Sequence, residues 1–361
     1  MIGFPLVEVF AVKAEIINPT TDDRWDEFVA RHQHGSVFHT SSWAKVISEA
    51  YNYLPRYFVL KNEAEQFVAG VPCFLISSPL TGRRLVCLPF SDYCYPLFAD
   101  GTDVAALLDL AKKEIEVQKA AYLEIRGWTD GVPPTELGLV PFNYPLLYNI
   151  NLESDAEKLN SRFHDSIRRC IRQAEKQNVT FRIAQSEDDL KEFYRLNVRT
   201  RKKLGVLPQP YAFFQSIFRH LITLKLGFIM LAEWENKIIA SVLFLNYKDT
   251  IYYKFNASDI DYLRKRPNHL LIWEAIKYGC SNGYSHFDFG RCNPEEEGLR
   301  TFKQRWTAKE IDLPYYYYPT VRGIATYTEN SLRYKGMKMA TRFMPGFAFT
   351  ATGSLLYRHL G

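Results

Sequence analysis

Two spacings of apolar residues alternate along this chain, and the alternation repeats. In the first half, helical spacing predicts a helix near Trp25–Arg31 and another near Trp43–Tyr51. Strand-like runs follow at Tyr57–Lys61, Gln66–Ser77 and Arg84–Pro89, the last two separated by the turn composition SSPLTGRR. A further helix fits Asp103–Gln118, where Val104, Leu107, Leu108, Ala111 and Ile115 recur on one side. A short strand, Tyr122–Arg126, and the loop WTDGVPPTELG close the half.

The second half runs through the same order. Ser161–Asn178 reads as one helix, with Phe163, Ile167, Cys170, Ile171 and Ala174 on its apolar side, followed by the strand VTFRI. Helices near Asp188–Lys203 and Tyr211–Leu224 are separated by Gly205, Pro208 and Pro210. Three strand runs, Phe228–Trp234, Ile238–Asn246 and Ile251–Ala257, are joined by turns short enough for an antiparallel meander. A helix at His269–Ser281 and a strand at Ser285–Gly290 end the unit. Each half is therefore helices, three antiparallel strands, helix, strand. The repeat lies in element order and not in residue identity.

That order predicts an α/β (α+β) chain of two tandem domains, each a mixed, mainly antiparallel sheet flanked by helices. The expected domains are 1–150 and 151–318, with the boundary near Asn149–Asp155. A tail, 319–361, carries Arg322, Arg333, Lys335, Lys338, Arg342 and Arg358 against the single acid Glu329. It is expected to pack on the first domain, or to meet a membrane surface.

After Gly290 an acidic loop leads to a second helix. There Leu299, Phe302 and Trp306 recur at helical spacing, and Lys303 falls on the same stripe. Desolvating an unpartnered ammonium costs several kcal/mol, so something anionic or rich in carbonyls should face Lys303. Otherwise its stem runs along the apolar surface and carries the charge out to water.

Three neighbouring features bear on chemistry. In the strand SHFDFG, Phe287 and Phe289 point one way and His286 and Asp288 the other. Asp288, followed by Gly290 and Arg291, fits either the rim of a cleft or an Asp–Arg pair that pins a loop. In RPNHLLIWEAI, Pro267 stops any preceding helix and Asn268 is the expected N-cap. Arg264, Lys265 and Arg266 just ahead make that helix start a candidate anion site. Arg168, Arg172 and Lys176 fall at i, i+4 and i+8 beside Arg169, a stripe that is either solvated or receives phosphates.

Bulk properties narrow the classes. At 361 residues the chain exceeds one ordinary core, and its 15% aromatic content suits large packed interiors. A net charge of +5 permits an anionic substrate or a membrane surface without requiring one. The six cysteines are scattered without metal-ligand spacing, as expected of buried free thiols in a reducing cytoplasm. The first residues have no basic stretch of the signal-peptide kind, and no apolar run reaches the ~18–20 residues of a membrane span. No G-x-S-x-G, HExxH, P-loop or GxGxxG occurs, and the eight histidines form no metal set. An enzyme of this kind works by direct attack between two bound substrates.

The stretch Asp259–Trp306 also carries a resemblance. Asn268–Leu270 with Trp273–Ile276, Gly283–Tyr284, Phe287–Gly290 and Gly298-Leu-x-x-Phe-Lys303-x-x-Trp306 resemble the Fem-type transferases of the GNAT superfamily. SIRRCIRQAEKQNV is similar to a helix of that family and IYYKFNAS to its aromatic strand. VFHTSSWAKV, which holds Trp43 and Lys45, is similar to its N-terminal element. RPNHLLIWEAI and HFDFGR look closer to a branch linked to exopolysaccharide export. Phe255 and Asn256 stand where the family strand has Tyr and Gly, and Arg266-Pro267-Asn268 replaces the superfamily's Gly-rich coenzyme A loop.

The resemblance implies tandem GNAT-like domains and acyl transfer to an amine without a resident cofactor or metal. The donor would be an aminoacyl-tRNA or an acyl-CoA, serving as co-substrate. The acceptor would be a UDP- or lipid-linked cell-envelope precursor such as a peptidoglycan stem peptide. Lys303 would stabilise a phosphate or the oxyanion, and Asp288 would take the amine's proton. Tyr253, Arg291, Asn268, Arg168, Arg172, Trp43 and Lys45 would bind substrate. The expected place is the cytoplasm, with peripheral contact at the inner face of the plasma membrane. Two alternatives stay open at this point: an N-acyltransferase acting on an exopolysaccharide amino sugar, and a non-catalytic binding protein of envelope assembly.

Overall fold

The structure, a computed structural model, describes residues 13–99, 102–128, 132–143, 145–319 and 339–361. They fall into two compact units, one built mainly on Tyr53–Pro141 and the other on Phe142–Tyr315, to which Lys45–Asn52 also belongs. Each unit has its own sheet, and helices flank both.

The first unit opens with β1 (Lys13–Ile17), α1 (Arg24–Arg31) and the start of α2 (Ser41–Tyr51). Then come β2 (Leu54–Lys61), β3 (Phe67–Ser78), β4 (Gly82–Cys87), β5 (Leu97–Phe98), α3 (Ala105–Gln118), β6 (Leu123–Arg126) and β7 (Val140–Asn143). The sheet runs β1-β2-β3-β4-β6 and is completed by β15 (Tyr315–Tyr318) and β7, with β5 on β3. The β2–β3–β4 meander expected from the two turns is present, and β6 joins β4 in parallel after α3. Gly70 shows how tightly α1 sits on this sheet. A Cβ there would lie 2.5 Å from the ring of Trp25, which is wholly buried.

The second unit begins with β8 (Leu146–Asn151), α4 (Ala156–Arg162), α5 (Asp165–Lys176) and β9 (Thr180–Ile183). After α6 (Glu187–Leu204) and α7 (Tyr211–Ile217) comes the meander β10 (Gly227–Trp234), β11 (Lys237–Tyr247) and β12 (Thr250–Ser258). Then follow α8 (Pro267–Ser281), β13 (His286–Cys292), α9 (Glu297–Gln304), β14 (Lys309–Asp312) and, beyond β15, α10 (Gly346–Leu356). The sheet order is β14-β8-β13-β12-β11-β10-β9, so β8 belongs to this sheet although it precedes the unit's helices. β13 is parallel to β12 and antiparallel to β8. The core lies between the sheet and α5 and α8, around Phe163, Ile171, Trp273, Phe287 and Trp306.

Several expectations are corrected. Ser161–Asn178 is two helices, broken where Phe163 turns extended to bring its ring against Trp306 (5.1 Å between centroids) and Trp273 (5.8 Å). His164 then caps α5, its Nδ1 accepting from the Ser166 N–H at 3.2 Å. Helix α8 starts at Pro267 rather than His269, and Arg266, not Asn268, is its N-cap. The preceding Arg266 takes φ +60°, and Pro is the residue that best tolerates the first helical position because its missing N–H has no partner there. The described end of the tail, 339–361, lies with the second unit and not the first: Thr341 Oγ1 donates to Gly205 O at 2.8 Å, and Gly353 stands directly against Pro208. Of the tail's basic residues, Arg322, Arg333, Lys335 and Lys338 lie outside the described residues. No described helix is long and apolar enough to cross a membrane.

Candidate active site

Parallel strands β12 and β13 share a short register, Thr250↔His286, Ile251↔Phe287 and Tyr252↔Asp288, and then stop pairing. β12 continues to Ser258 and β13 to Cys292, so the sheet opens at the carboxyl ends of these two strands. Ligands of α/β folds favour such openings. The cause is local. Between Asp288 and Arg291, β13 has one more residue than β8 supplies opposite it, and Gly290 absorbs the bulge at φ +68°. Only glycine takes that conformation without strain.

The Gly290 peptide is held from both sides. Asp288 Oδ1 accepts its N–H at 2.5 Å, and Lys303 Nζ donates to its carbonyl at 2.8 Å and to that of Arg291 at 3.0 Å. Lys303 is 3% exposed and Asp288 2%. The lysine therefore does not reach water along its stem. It faces carbonyls, which replace the hydration of the ammonium. Its Nζ also lies 5.2 Å from the ring centre of Tyr148, an attractive cation–π placement. On the helix, Phe302 and Lys303 turn inward, as does Trp306 just past its end, while Leu299 is exposed, which narrows the predicted stripe. Asp288 is a buried carboxylate rather than a group on an open rim.

The other predicted residues divide. Tyr253 stands beside the opening, its ring 5.6 Å from Phe289 and its hydroxyl hydrogen-bonded by Asn256, and burial pushes its phenol well above the usual value. Arg291 spreads its guanidinium over Tyr315 at 5.7 Å. Asn268 sits in the first turn of α8, with Nδ2 3.4 Å from Ser258 Oγ on the last residue of β12. Arg168 and Arg172 are elsewhere, lining a groove of about 540 Å3 along α4 and α5 with Glu157, Glu175 and Trp273. Arg168 is tied locally to Asp165 and to Ser161 O. Trp43 is wholly buried against Phe38, a core side chain of the first unit, and Lys45 is exposed on α2.

Residues that the sequence reading passed over complete the surroundings. Tyr148, Arg300 and Glu310 form a polar triangle beneath Lys303. Tyr148 donates to Glu310, Arg300 Nε lies 3.3 Å from Tyr148 Oη, and Arg300 pairs with Glu310 at 3.2 Å. The Tyr148 hydroxyl and the Arg300 guanidinium hold the Glu310 carboxyl below its ordinary range. His269, three residues into α8, stacks on Trp306 and meets Phe302 edge-on, and burial with the Arg266 charge lowers its pKa to about 4. It is neutral at pH 7. Arg266, His269, Thr301, Phe302 and Arg305 line a cavity of about 620 Å3 with Ser166, Cys170 and Glu297. The single signal for His269 in the sequence was its place one turn into a helix that follows a basic turn.

A family model described as an acetyltransferase (GNAT) domain matches residues 161–304, the part of the chain that holds this opening. The match gives the second half of the chain an acyltransferase domain. No curated protein matches the sequence. Among solved structures the chain is similar to FemX, at 16% identity over 85% of this chain and 97% of that one, with a TM-score of 0.66. It is similar to the C-terminal domain of an Agrobacterium fabrum protein assigned as a lysylphosphatidylglycerol synthetase (13% identity, 82% and 92% covered, TM-score 0.54). A third likeness is to a tandem GNAT protein from the clavulanic acid biosynthesis pathway (8% identity, 85% and 98% covered, TM-score 0.52). At these identities the likenesses show the fold: two mixed sheets flanked by helices, in tandem GNAT-like arrangement.

Proposed function

We propose that the opening between β12 and β13 transfers an aminoacyl or acyl group to an amine of a cell-envelope precursor, UDP- or lipid-linked. The observation that carries this reading is Lys303: a buried ammonium at the open end of a parallel strand pair, inside the matched acetyltransferase domain. The structural likeness to FemX and to a lysylphosphatidylglycerol synthetase domain supports an envelope acceptor.

In the proposed reaction the acceptor amine attacks the ester or thioester carbonyl of the donor. The new C–N bond forms as the carbonyl electrons move onto oxygen, and the amine proton passes to Asp288. Collapse of the tetrahedral intermediate expels the donor's alcohol or thiol, which recovers a proton. A positive donor aimed at the oxyanion contributes roughly 3–4 kcal/mol to such a transition state. Lys303, flanked by Phe302 on its helix and Trp306 just past the helix end, is the group for that role, and Tyr253 would orient the acceptor.

The acetyltransferase match favours a second reading of the donor, acyl-CoA delivered to an amino sugar. Arg266 and the first turn of α8 beside the 620 Å3 cavity are the place where its phosphates would be held. A mass-spectrometric screen of purified protein, offered charged tRNA or acyl-CoA with an amine-bearing precursor, decides between the donors. An added acyl mass from either donor supports acyl transfer, and its absence with every donor overturns the reading.

A further inference from the structure

Helix α10 contains no charged residue, yet only one side of it is packed. Phe349 and Gly353 face inward, with Gly353 so close to Pro208 that a Cβ would lie 2.4 Å from its carbonyl oxygen. The opposite side is in solvent. On α10, Phe347, Ala351 and Leu355 recur at intervals of four and are exposed, and Met339 and Phe343, in the short helical segment before the break at Met344–Pro345, are exposed as well, Phe343 at 82% and Phe347 at 81%. Two phenyl rings four residues apart and almost wholly in water are uncommon on a soluble surface.

Charge accompanies the apolar stripe. Arg342 shares a groove of about 510 Å3 with Lys202 and Lys203 from the end of α6, and with the exposed side chains of Leu204 and Ile260. Residues 339–361 include Arg342 and Arg358 and no acid. At eleven residues α10 is too short to span a bilayer. An apolar stripe with aromatic rings, bordered by cations and free of acids, has the composition that lies in the plane of an anionic lipid surface. From the stripe, the basic groove and the absent acids together, we infer that this face of the second unit docks reversibly on an anionic phospholipid membrane. Phe343 and Phe347 enter the headgroup layer, and Arg342, Lys202 and Lys203 meet lipid phosphates. The inference stands apart from the acyl-transfer reading, because vesicle binding is measured without turnover.

The test is co-sedimentation of the full chain with vesicles of phosphatidylglycerol and phosphatidylcholine, and with phosphatidylcholine vesicles alone. Binding is expected to the anionic vesicles, weakening as salt rises. It should fall roughly tenfold or more in Phe343→Ser/Phe347→Ser and severalfold in Lys202→Glu/Lys203→Glu. Phe343, Phe347 and Lys203 are exposed and Lys202 is half-buried, so unaltered circular dichroism and thermal melting are expected to accompany the loss. No binding to anionic vesicles overturns the inference, as does binding that the aromatic variant leaves unchanged. So would a wild-type dimer that Phe343→Ser/Phe347→Ser splits while vesicle binding persists, since the stripe would then be a contact between copies.

Discussion

Both units place a parallel strand after a helix, and both set an acid on it, but they use the acid differently. In the first unit β6 pairs with β4 through Leu85↔Leu123 and Val86↔Glu124. Glu124 is matched by Arg126 Nε at 2.6 Å and by the Tyr317 hydroxyl at 3.1 Å, donated from β15 in the same sheet. In the second unit the corresponding strand, β13, bulges at Gly290. Asp288 there grips a backbone N–H, and Lys303 grips backbone carbonyls. A carboxylate met by side chains consolidates a core. On the proposed reading, the carboxylate and the ammonium that hold the bulge beside the strand opening would sit where a reacting carbonyl is bound. The matched acetyltransferase domain, 161–304, covers the second plan and not the first.

The largest expected effect separates the two plans outright. Lys303→Ala should lower turnover by 10²–10³-fold, while Arg126→Ala, the cation of the first unit, should act on stability alone. Because Lys303 also satisfies two buried carbonyls, its removal should cost about 1–3 kcal/mol in a denaturant titration. Lys303→Arg, which keeps the charge, should recover most of that stability and little of the rate. Equal turnover in Lys303→Ala and wild type would remove the oxyanion role.

Asp288→Asn sharpens the same point. The amide oxygen still accepts the Gly290 N–H, so the bulge survives and melting should change little. Loss of the proton acceptor should lower kcat by about 10²-fold, read in steady-state kinetics. A silent variant would reduce Asp288 to the same structural service that Glu124 performs.

Much of this fold was legible because burial follows period. The β10–β11–β12 meander, α6 and α8 matched their patterns to within two residues at each end. What stayed hidden lacked a local signature. β8 holds Tyr148 and fixes one side of the opening, yet it is a six-residue run whose partners β13 and β14 lie more than 130 residues away in sequence. The break at Phe163 was masked because its ring fits the apolar stripe of either a continuous or a divided helix. Lys303 was noticeable as a charge on an apolar stripe, but its carbonyl partners come from a bulge that no residue pattern announces. Trp43 illustrates the reverse: a motif residue that the structure uses to fill a core.

A smaller effect distinguishes the two cores. Gly70→Ala should destabilise the first unit by about 1–3 kcal/mol, since the new methyl meets the buried Trp25 ring. Acyl transfer should survive at temperatures where that unit stays folded, measured by parallel melting and activity curves.

The last effect follows from His269, whose folded pKa of about 4 lies below the ordinary 6.5. Between these values the unfolded chain binds a proton that the folded one refuses, so stability falls as pH drops from about 6.5 to 4 and levels off below. The loss is on the order of 3 kcal/mol. His269→Gln should flatten that slope in pH-dependent denaturant titrations, and an unchanged slope would place the titration elsewhere.

The central claim is that the second unit performs acyl transfer at Lys303. Its most direct test is intact-mass analysis of an amine-bearing envelope precursor after incubation with charged tRNA or acyl-CoA and either wild-type or folded Lys303→Ala protein. The account predicts one added acyl group with wild type and one of the donors, and almost none with the variant. Product at equal rates from both proteins, or from neither with any donor, would contradict it.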